Sequence, residues 1–272
     1  MLIDGFSPVT IGLLVVILAA SALMSGLSGF GFSAIGALCL ILLPPKLGVP
    51  LLMTLSAANQ LMSLRQLKAD MKPIKHWWPD GPAPYLLGGL VGVPVGLAIL
   101  SSLPTGDLML VFGAFLVIYA AYSLARPHGA RATVHGSWLS SSLVGMSGGV
   151  IGGFTAFPGA AVVVWNGLRH LPKREARAIV QPYILVLQIL SIALLALQKP
   201  ETFSRTYWLL IAITVPVVLP CTLLGVKLYQ SLSDVNFRRV TFILLGISGV
   251  GLLIKAADTF PAVASAVHAV GH

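Results

Sequence analysis

Apolar runs recur along the whole sequence, and only short polar connections separate them. A transmembrane helix needs about 20 predominantly apolar residues, because it must cross about 30 Å of hydrocarbon. Charged residues make up 9% of the chain, whereas an ordinary soluble domain contains about 25%. The sequence therefore predicts an all-α polytopic membrane protein without a sizeable soluble domain.

Ten apolar segments are predicted, and they divide into two repeats of five. The first repeat, 1–126, contains segments 8–28, 31–43, 48–64, 82–102 and 108–125; the second, 127–272, contains 138–151, 153–168, 178–197, 206–225 and 239–256. Segments 31–43, 138–151 and 153–168 are short for a bilayer. They are predicted to be either short crossing helices or arms of re-entrant hairpins, so that about eight to ten helices form in total.

The charge pattern predicts the orientation in the membrane. Thirteen of the 17 Lys and Arg residues lie in four connections, namely 65–80, 126–137, 169–177 and 226–239. The positive-inside rule places these connections in the cytoplasm and both termini outside. The net charge of +9 is thus explained by topology, and nucleic acid is not expected as a partner. The residues before the first segment lack Lys and Arg, so this segment is predicted to be retained.

Short matches between the two halves indicate an internal repeat. "NQLMSL" resembles "LQILSI", which pairs Gln60 with Gln188, and a second match pairs Gly96 with Gly225. A third match sets residues 30–34 against 151–155. An odd number of crossings in each half would turn the second copy upside down, so the repeat is predicted to be inverted, as in many transporters.

Glycine-rich stretches occur at similar places in the two halves. They are "SGLSGFGFSAIG" at 25–36 and "GMSGGVIGGFT" at 145–155. Glycine weakens helices, and non-helical backbone at membrane depth is tolerated only where protein buries it or water reaches it. Helices that restart near Phe32 and Phe154 would present unpaired N–H groups to an anion. The alternative is close helix packing, which small residues four apart also permit.

The predicted substrate site combines these stretches with amide side chains inside apolar runs. An amide in lipid needs a partner or an aqueous cavity, and interhelical hydrogen bonds are the alternative role for these amides. The predicted substrate-binding residues are Ser28, Gly29, Gly31, Ser33, Asn59, Gln60, Ser147, Gly152, Thr155, Gln181 and Gln188.

Acidic and histidine residues are absent from the apolar segments. All eight Asp and Glu and all six His fall in predicted loops or tails. Cation sites and proton relays normally use such groups within the membrane. We therefore expect no metal, no cofactor and no catalytic residue, and the chain is predicted not to be an enzyme.

The run "SGLSGFGFSAIG", followed by "LLPPKLGVPLLMTLSAANQL", is similar to the first half of the sulfite exporter TauE/SafE family. "GMSGGVIGGFTAFPGAAVVVWNGLRHLPKREARAI" resembles its second half. The resemblance implies an inner-membrane transporter, and most simply an exporter, of sulfite or organosulfonates. We expect it to work by alternating access. The expected partners are a small anion and the lipid bilayer, and a homodimer is compatible with the sequence. An anion channel, or a membrane-embedded enzyme or assembly subunit, is the alternative.

Overall fold

The computed structural model describes residues 6–66, 77–125, 136–229 and 234–259. Within these residues the chain is helical and contains no strand. Ten α-helices follow one another: α1 (Pro8–Ser28), α2 (Phe32–Gly36), α3 (Pro45–Gln66), α4 (Ala83–Ser102), α5 (Thr105–Ala125), α6 (Trp138–Thr155), α7 (Gly159–Leu168), α8 (Lys173–Gln198), α9 (Arg205–Tyr229) and α10 (Asp234–Thr259). Each overlaps one predicted segment, but α2 covers only part of segment 31–43 and α7 begins well after residue 153.

Six of the described helices, α1, α3, α4, α5, α8 and α9, are long and apolar enough to cross a membrane. Large apolar side chains are exposed on their outer faces, for example Val91, Ile118 and Leu197. A surface of this kind is unfavourable in water and suits lipid. The all-α polytopic membrane architecture predicted from the sequence is confirmed.

Two pairs of helices lie with their backbones in close contact. A Cβ atom on Gly26 of α1 would lie 2.9 Å from the Cα of Gly225 in α9, and a Cβ atom on Gly153 of α6 would lie 2.7 Å from the Cα of Gly96 in α4. In a five-helix repeat α1 corresponds to α6 and α9 to α4. The two contacts are therefore equivalent, which supports the predicted repeat.

The glycine-rich stretch of α6 does not interrupt the helix. Helix α6 runs unbroken to Thr155, so the predicted break at 145–155 is wrong. A Cβ atom on Gly145 would lie 2.1 Å from the carbonyl oxygen of Tyr85, and one on Gly149 would lie 2.6 Å from that of Gly89. These glycines allow α6 to approach α4 closely, which is the packing role that small residues have in membrane helices.

The actual interruptions are short. The chain leaves helical geometry at residues 29–31, between α1 and α2, and at 156–158, between α6 and α7; we call these the first break and the second break. Helices α3 and α8 lie beside them at the centre of the molecule. In each, 61% of the apolar span is buried, against 33–44% in the other long apolar spans.

Candidate functional site

The first break begins where α1 ends in a glycine. Gly29 has φ of 84°, in the left-handed region, which glycine adopts without the cost that a side chain imposes. Its N–H donates to the carbonyl of Ser25 at 2.7 Å. The hydroxyl of Ser28 donates to the carbonyl of Met24 at 2.9 Å and accepts from the N–H of Gly31 at 3.0 Å. Ser28 and Gly31 thus satisfy the backbone of the break itself.

The second break repeats this local structure. Ala156 has φ of 58°, and its N–H donates to the carbonyl of Gly152 at 2.8 Å. The hydroxyl of Thr155 donates to the carbonyl of Ile151 at 2.6 Å and accepts from the N–H of Phe157 at 3.1 Å. A serine in one half and a threonine in the other therefore cap equivalent helix ends.

The structure corrects the predicted alignment of the two breaks. Ser28 and Gly29 correspond to Thr155 and Ala156, so the pairing of residues 30–34 with 151–155 is wrong. The expected restart near Phe154 is also wrong, because α7 begins at Gly159. The restart near Phe32 is confirmed. The break was predicted too early in the chain because of the glycines of α6. These glycines allow close helix packing and do not interrupt the helix.

Two buried glutamines bind the carbonyls that the breaks leave free. Nε2 of Gln60 donates to the carbonyl of Gly29 at 3.0 Å, and Nε2 of Gln188 donates to the carbonyl of Ala156 at 2.7 Å. Both side chains are 0% exposed. The Oε1 atom of each glutamine has no hydrogen-bond partner within the described part of the chain. The pairing of Gln60 with Gln188 made from the sequence thus corresponds to equivalent contacts.

The two breaks meet at Ser33. This buried residue lies in α2, just after the first break, and its hydroxyl donates to the carbonyl of Ala156 in the second break. The same carbonyl also accepts the bond from Gln188. The beginning of α2, directly after the first break, is therefore joined to the second break in the interior.

Gln181 and Arg177 lie against the first break from α8. Gln181 is 1% exposed, and neither atom of its amide has a hydrogen-bond partner among the described residues. A Cβ atom placed on Gly29 would lie 3.3 Å from Nε2 of Gln181 and 3.0 Å from Nε of Arg177. Nη2 of Arg177 donates to the carbonyl of Gly26 at 2.9 Å. A guanidinium and an amide therefore flank the same glycine.

Sequence reasoning missed Arg177, because it assigned this residue to the basic connection 169–177. The structure places it inside α8, which begins at Lys173. A signal was present: Arg177 precedes Gln181 by four residues, and residues four apart share a helix face. Reading α8 as beginning at Lys173 would have placed Arg177 beside the amides.

Three other predicted site residues have different surroundings. Nδ2 of Asn59 donates to the hydroxyl of Ser25 at 2.7 Å, and its Oδ1 accepts from Thr222 at 2.6 Å, so Asn59 joins α3 to α1 and α9. Ser147 is exposed on α6, and its hydroxyl donates to the carbonyl of Val144 at 2.8 Å. A Cβ atom on Gly152 would lie 2.5 Å from the Cβ of Pro158, so Gly152 provides space for the second break.

A cavity of about 450 Å³ opens at one end of the helices. Its lining comes from the segment before α1, the beginnings of α3 and α9 and the ends of α4 and α8, and it includes Lys46, Lys199 and Glu201. All of these helix ends are on the side predicted to face outside. Within the described ranges, no group of three or more His, Cys, Asp or Glu side chains could hold a metal ion.

The fold and this site define a multi-pass membrane protein whose buried polar centre is built from two interrupted helices. The family model for the sulfite exporter TauE/SafE matches residues 13–252, and the chain belongs to this family of membrane transporters. The matched region includes both breaks, and the resemblance noted from the sequence is confirmed. Comparisons with curated proteins and with solved structures found no match.

Proposed function

We propose that this protein exports a small sulfur-containing anion, such as sulfite or an organosulfonate, across the cytoplasmic membrane by alternating access. The observation that carries the proposal is the meeting of the two breaks, through the bond from Ser33 to Ala156. Interrupted helices at corresponding places in two repeats form the substrate sites of many transporters. Membership of a sulfite exporter family supports the substrate class.

In this proposal the face of α8 that carries Gln181 and Gln188 would line a route between the site and the cavity. Gln181, Gln188 and Leu195 are seven residues apart, which is two helical turns, and so they lie on one face. Gln181 lies at the first break, Gln188 binds the second, and Leu195 lines the cavity. At 1.5 Å per residue the route is about 20 Å long. Lys46 and Lys199 would attract an anion to the cavity.

The second break acts as the gate in this mechanism. The carbonyl of Ala156 is held by Ser33 and by Gln188, so α2, α7 and α8 are joined at one atom. Release of these bonds would let α2 and α7 move relative to α8. If these hydrogen bonds formed again behind the anion, they would close the path on that side. Alternating access requires such closure on one side while the other side is open.

The charge of the substrate supports export as the direction of transport. A cell with a negative interior expels an anion with about 2.3 kcal/mol per charge per 100 mV. Export down this gradient needs no buried carboxylate. The acidic residues that the structure describes lie at helix ends or in connections, as Asp107 and Glu175 do in the first turns of α5 and α8. We therefore propose export rather than proton-coupled uptake.

Sulfite flux in proteoliposomes tests this function. Vesicles loaded with unlabelled sulfite should accumulate labelled sulfite faster than empty vesicles, because a carrier exchanges substrate whereas a channel does not. The combined change Ser33→Ala, Thr155→Ala and Gln188→Ala should lower this exchange at least about tenfold. The matched control is Ser147→Ala, which should transport normally.

Each result separates the candidates. Flux without exchange stimulation would indicate an anion channel, and conductance measurements would then show currents too large for a carrier. Purified protein that moves no sulfite or sulfonate would contradict the transport function. Normal exchange by the folded triple variant would contradict the site while leaving the function in place.

A further inference from the structure

We propose that Arg177 and Gln181 bind the oxyanion head of the substrate beside Gly29, and that this first-break site carries the charge recognition of the transporter. The ligand class is a sulfite or sulfonate group, and this assignment of class rests on the proposed function. The location does not, because it follows from contacts of α8 with the first break.

Gln181 is the buried glutamine whose whole amide is left unpartnered by the described residues. A buried amide without hydrogen-bond partners is costly, and Gln181 has none for either amide atom within the described residues. Gln60 and Gln188, by contrast, each bind a backbone carbonyl. Gln181 can donate two N–H groups and accept at Oε1, so a bound oxyanion would satisfy its amide nitrogen.

Arg177 supplies the charge at the same place. It precedes Gln181 by one turn of α8, so the two side chains share a helix face. Its bond to the carbonyl of Gly26 holds the guanidinium toward the end of α1. A guanidinium forms short, charge-assisted bonds to oxyanions. Gly29 carries no side chain, and any Cβ there would press on both residues.

The positions of α3 that correspond to Arg177 and Gln181 carry apolar residues. The 128-residue offset between Gln60 and Gln188 matches Arg177 with Val49 and Gln181 with Met53. Both of these residues are apolar and 0% exposed. Arg177 and Gln181 are thus not part of the repeated structure, and helix packing at the matched positions does not require polar side chains. One site per chain is expected.

Replacement of Gln181 by methionine copies the residue that the chain itself carries at Met53. Gln181→Met removes an unpartnered amide and keeps the side-chain size, so the melting temperature should stay the same or rise. The affinity for sulfite should fall at least about tenfold, since a hydrogen bond to a charged group is lost. A purely structural glutamine would give the reverse: lower melting temperature and unchanged affinity.

Arg177→Gln should lower the affinity for sulfite and for methanesulfonate about 10- to 100-fold, because a charged partner is lost. Arg177→Lys should recover part of the affinity, since it restores the charge without the planar fork. Arg174→Gln is the matched control, because Arg174 is exposed in the same turn of α8 and the change in net charge is identical. Calorimetric titration of the purified full chain measures these affinities, and thermal unfolding verifies the fold.

The outcomes distinguish this site from the proposed function. If Arg177→Gln and Gln181→Met are folded and bind both anions as the wild type does, the site assignment is wrong and the transport function stands. If the wild type binds sulfite, the variants do not, and no flux is measured, the site stands and the transport function is wrong. Binding of neither anion by the folded wild type would overturn both.

Discussion

The two breaks share a backbone design and differ in their side chains. At both, a hydroxyl residue caps the helix, a left-handed residue ends it, and a glutamine binds the exposed carbonyl. At the first break the left-handed residue is Gly29, and Arg177 and Gln181 lie against it. At the second it is Ala156, whose carbonyl receives an additional bond from Ser33. One backbone motif thus faces a guanidinium and an amide in one half and forms a closed contact in the other.

The largest expected effect concerns the helix pairs that hold both breaks. Gly26→Leu and Gly153→Leu should each prevent recovery of folded protein, because a Cβ atom would lie 2.4 Å from the carbonyl oxygen of Thr222 or 2.7 Å from the Cα of Gly96. Overpacking costs about 1–3 kcal/mol even where side chains can shift, and backbone yields less. Size-exclusion profiles in detergent measure recovery.

Gly12→Leu is the matched control for these substitutions, because a Cβ atom on Gly12 meets nothing within 4 Å. It should give a normal yield and an unchanged elution volume. Normal folding of only one of the two buried variants would show that the α1–α9 and α4–α6 contacts are not equivalent. That result would weaken the repeat.

The next effect tests the carbonyls of the two breaks. Gln60→Leu removes the side-chain donor to Gly29 and should cost about 1–3 kcal/mol, the penalty for a buried group left unpaired. Gln188→Leu should cost less than about 1 kcal/mol, because Ser33 still donates to Ala156. Both changes also remove a buried Oε1 that has no partner in the described part of the chain. The stability gained in this way is the same for both variants and cancels in the comparison. Reversible unfolding in detergent or lipid measures the difference.

Ser33→Ala completes this comparison. Added to Gln188→Leu, it should raise the cost to that of Gln60→Leu, so the double-mutant cycle should show coupling between residues 33 and 188. Strict additivity of the two changes would contradict a shared acceptor.

The last comparison exchanges the left-handed residues, and its smallest expected effect is that of Ala156→Gly. Gly29→Ala should destabilise by about 1–2 kcal/mol, the cost of left-handed geometry for a residue with a side chain; contact with Arg177 would add to it. Ala156→Gly should stabilise by less than about 1 kcal/mol, because relief of that cost is partly offset by the greater freedom of glycine in the unfolded chain. Melting temperatures of the two variants measure this, and equal shifts in the same direction would contradict the assigned geometry.

Particular elements show which features were predictable from the sequence. All ten helices overlap predicted segments, because long apolar runs separated by polar connections are recognisable in the sequence. Gln60 and Gln188 were recognised as repeat partners, because the stretches "NQLMSL" and "LQILSI" match. The second break was misplaced, because glycines that pack α6 against α4 have the same sequence signature as glycines that interrupt a helix. Arg177 was assigned to a loop, because the basic residues around it were interpreted as a polar connection, although α8 already begins at Lys173.

The sequence by itself determined that this protein lies in a lipid bilayer and where its helices form. The free energy of transferring a segment to lipid is a sum over its residues. Length and hydropathy therefore suffice to locate membrane helices. Only the tertiary structure decided what the polar residues and glycines do. Asn59 is bound by neighbouring helices, whereas Gln181 has no protein partner for its amide among the described residues. The reason is physical: whether a buried polar group is satisfied depends on atoms contributed by distant parts of the chain.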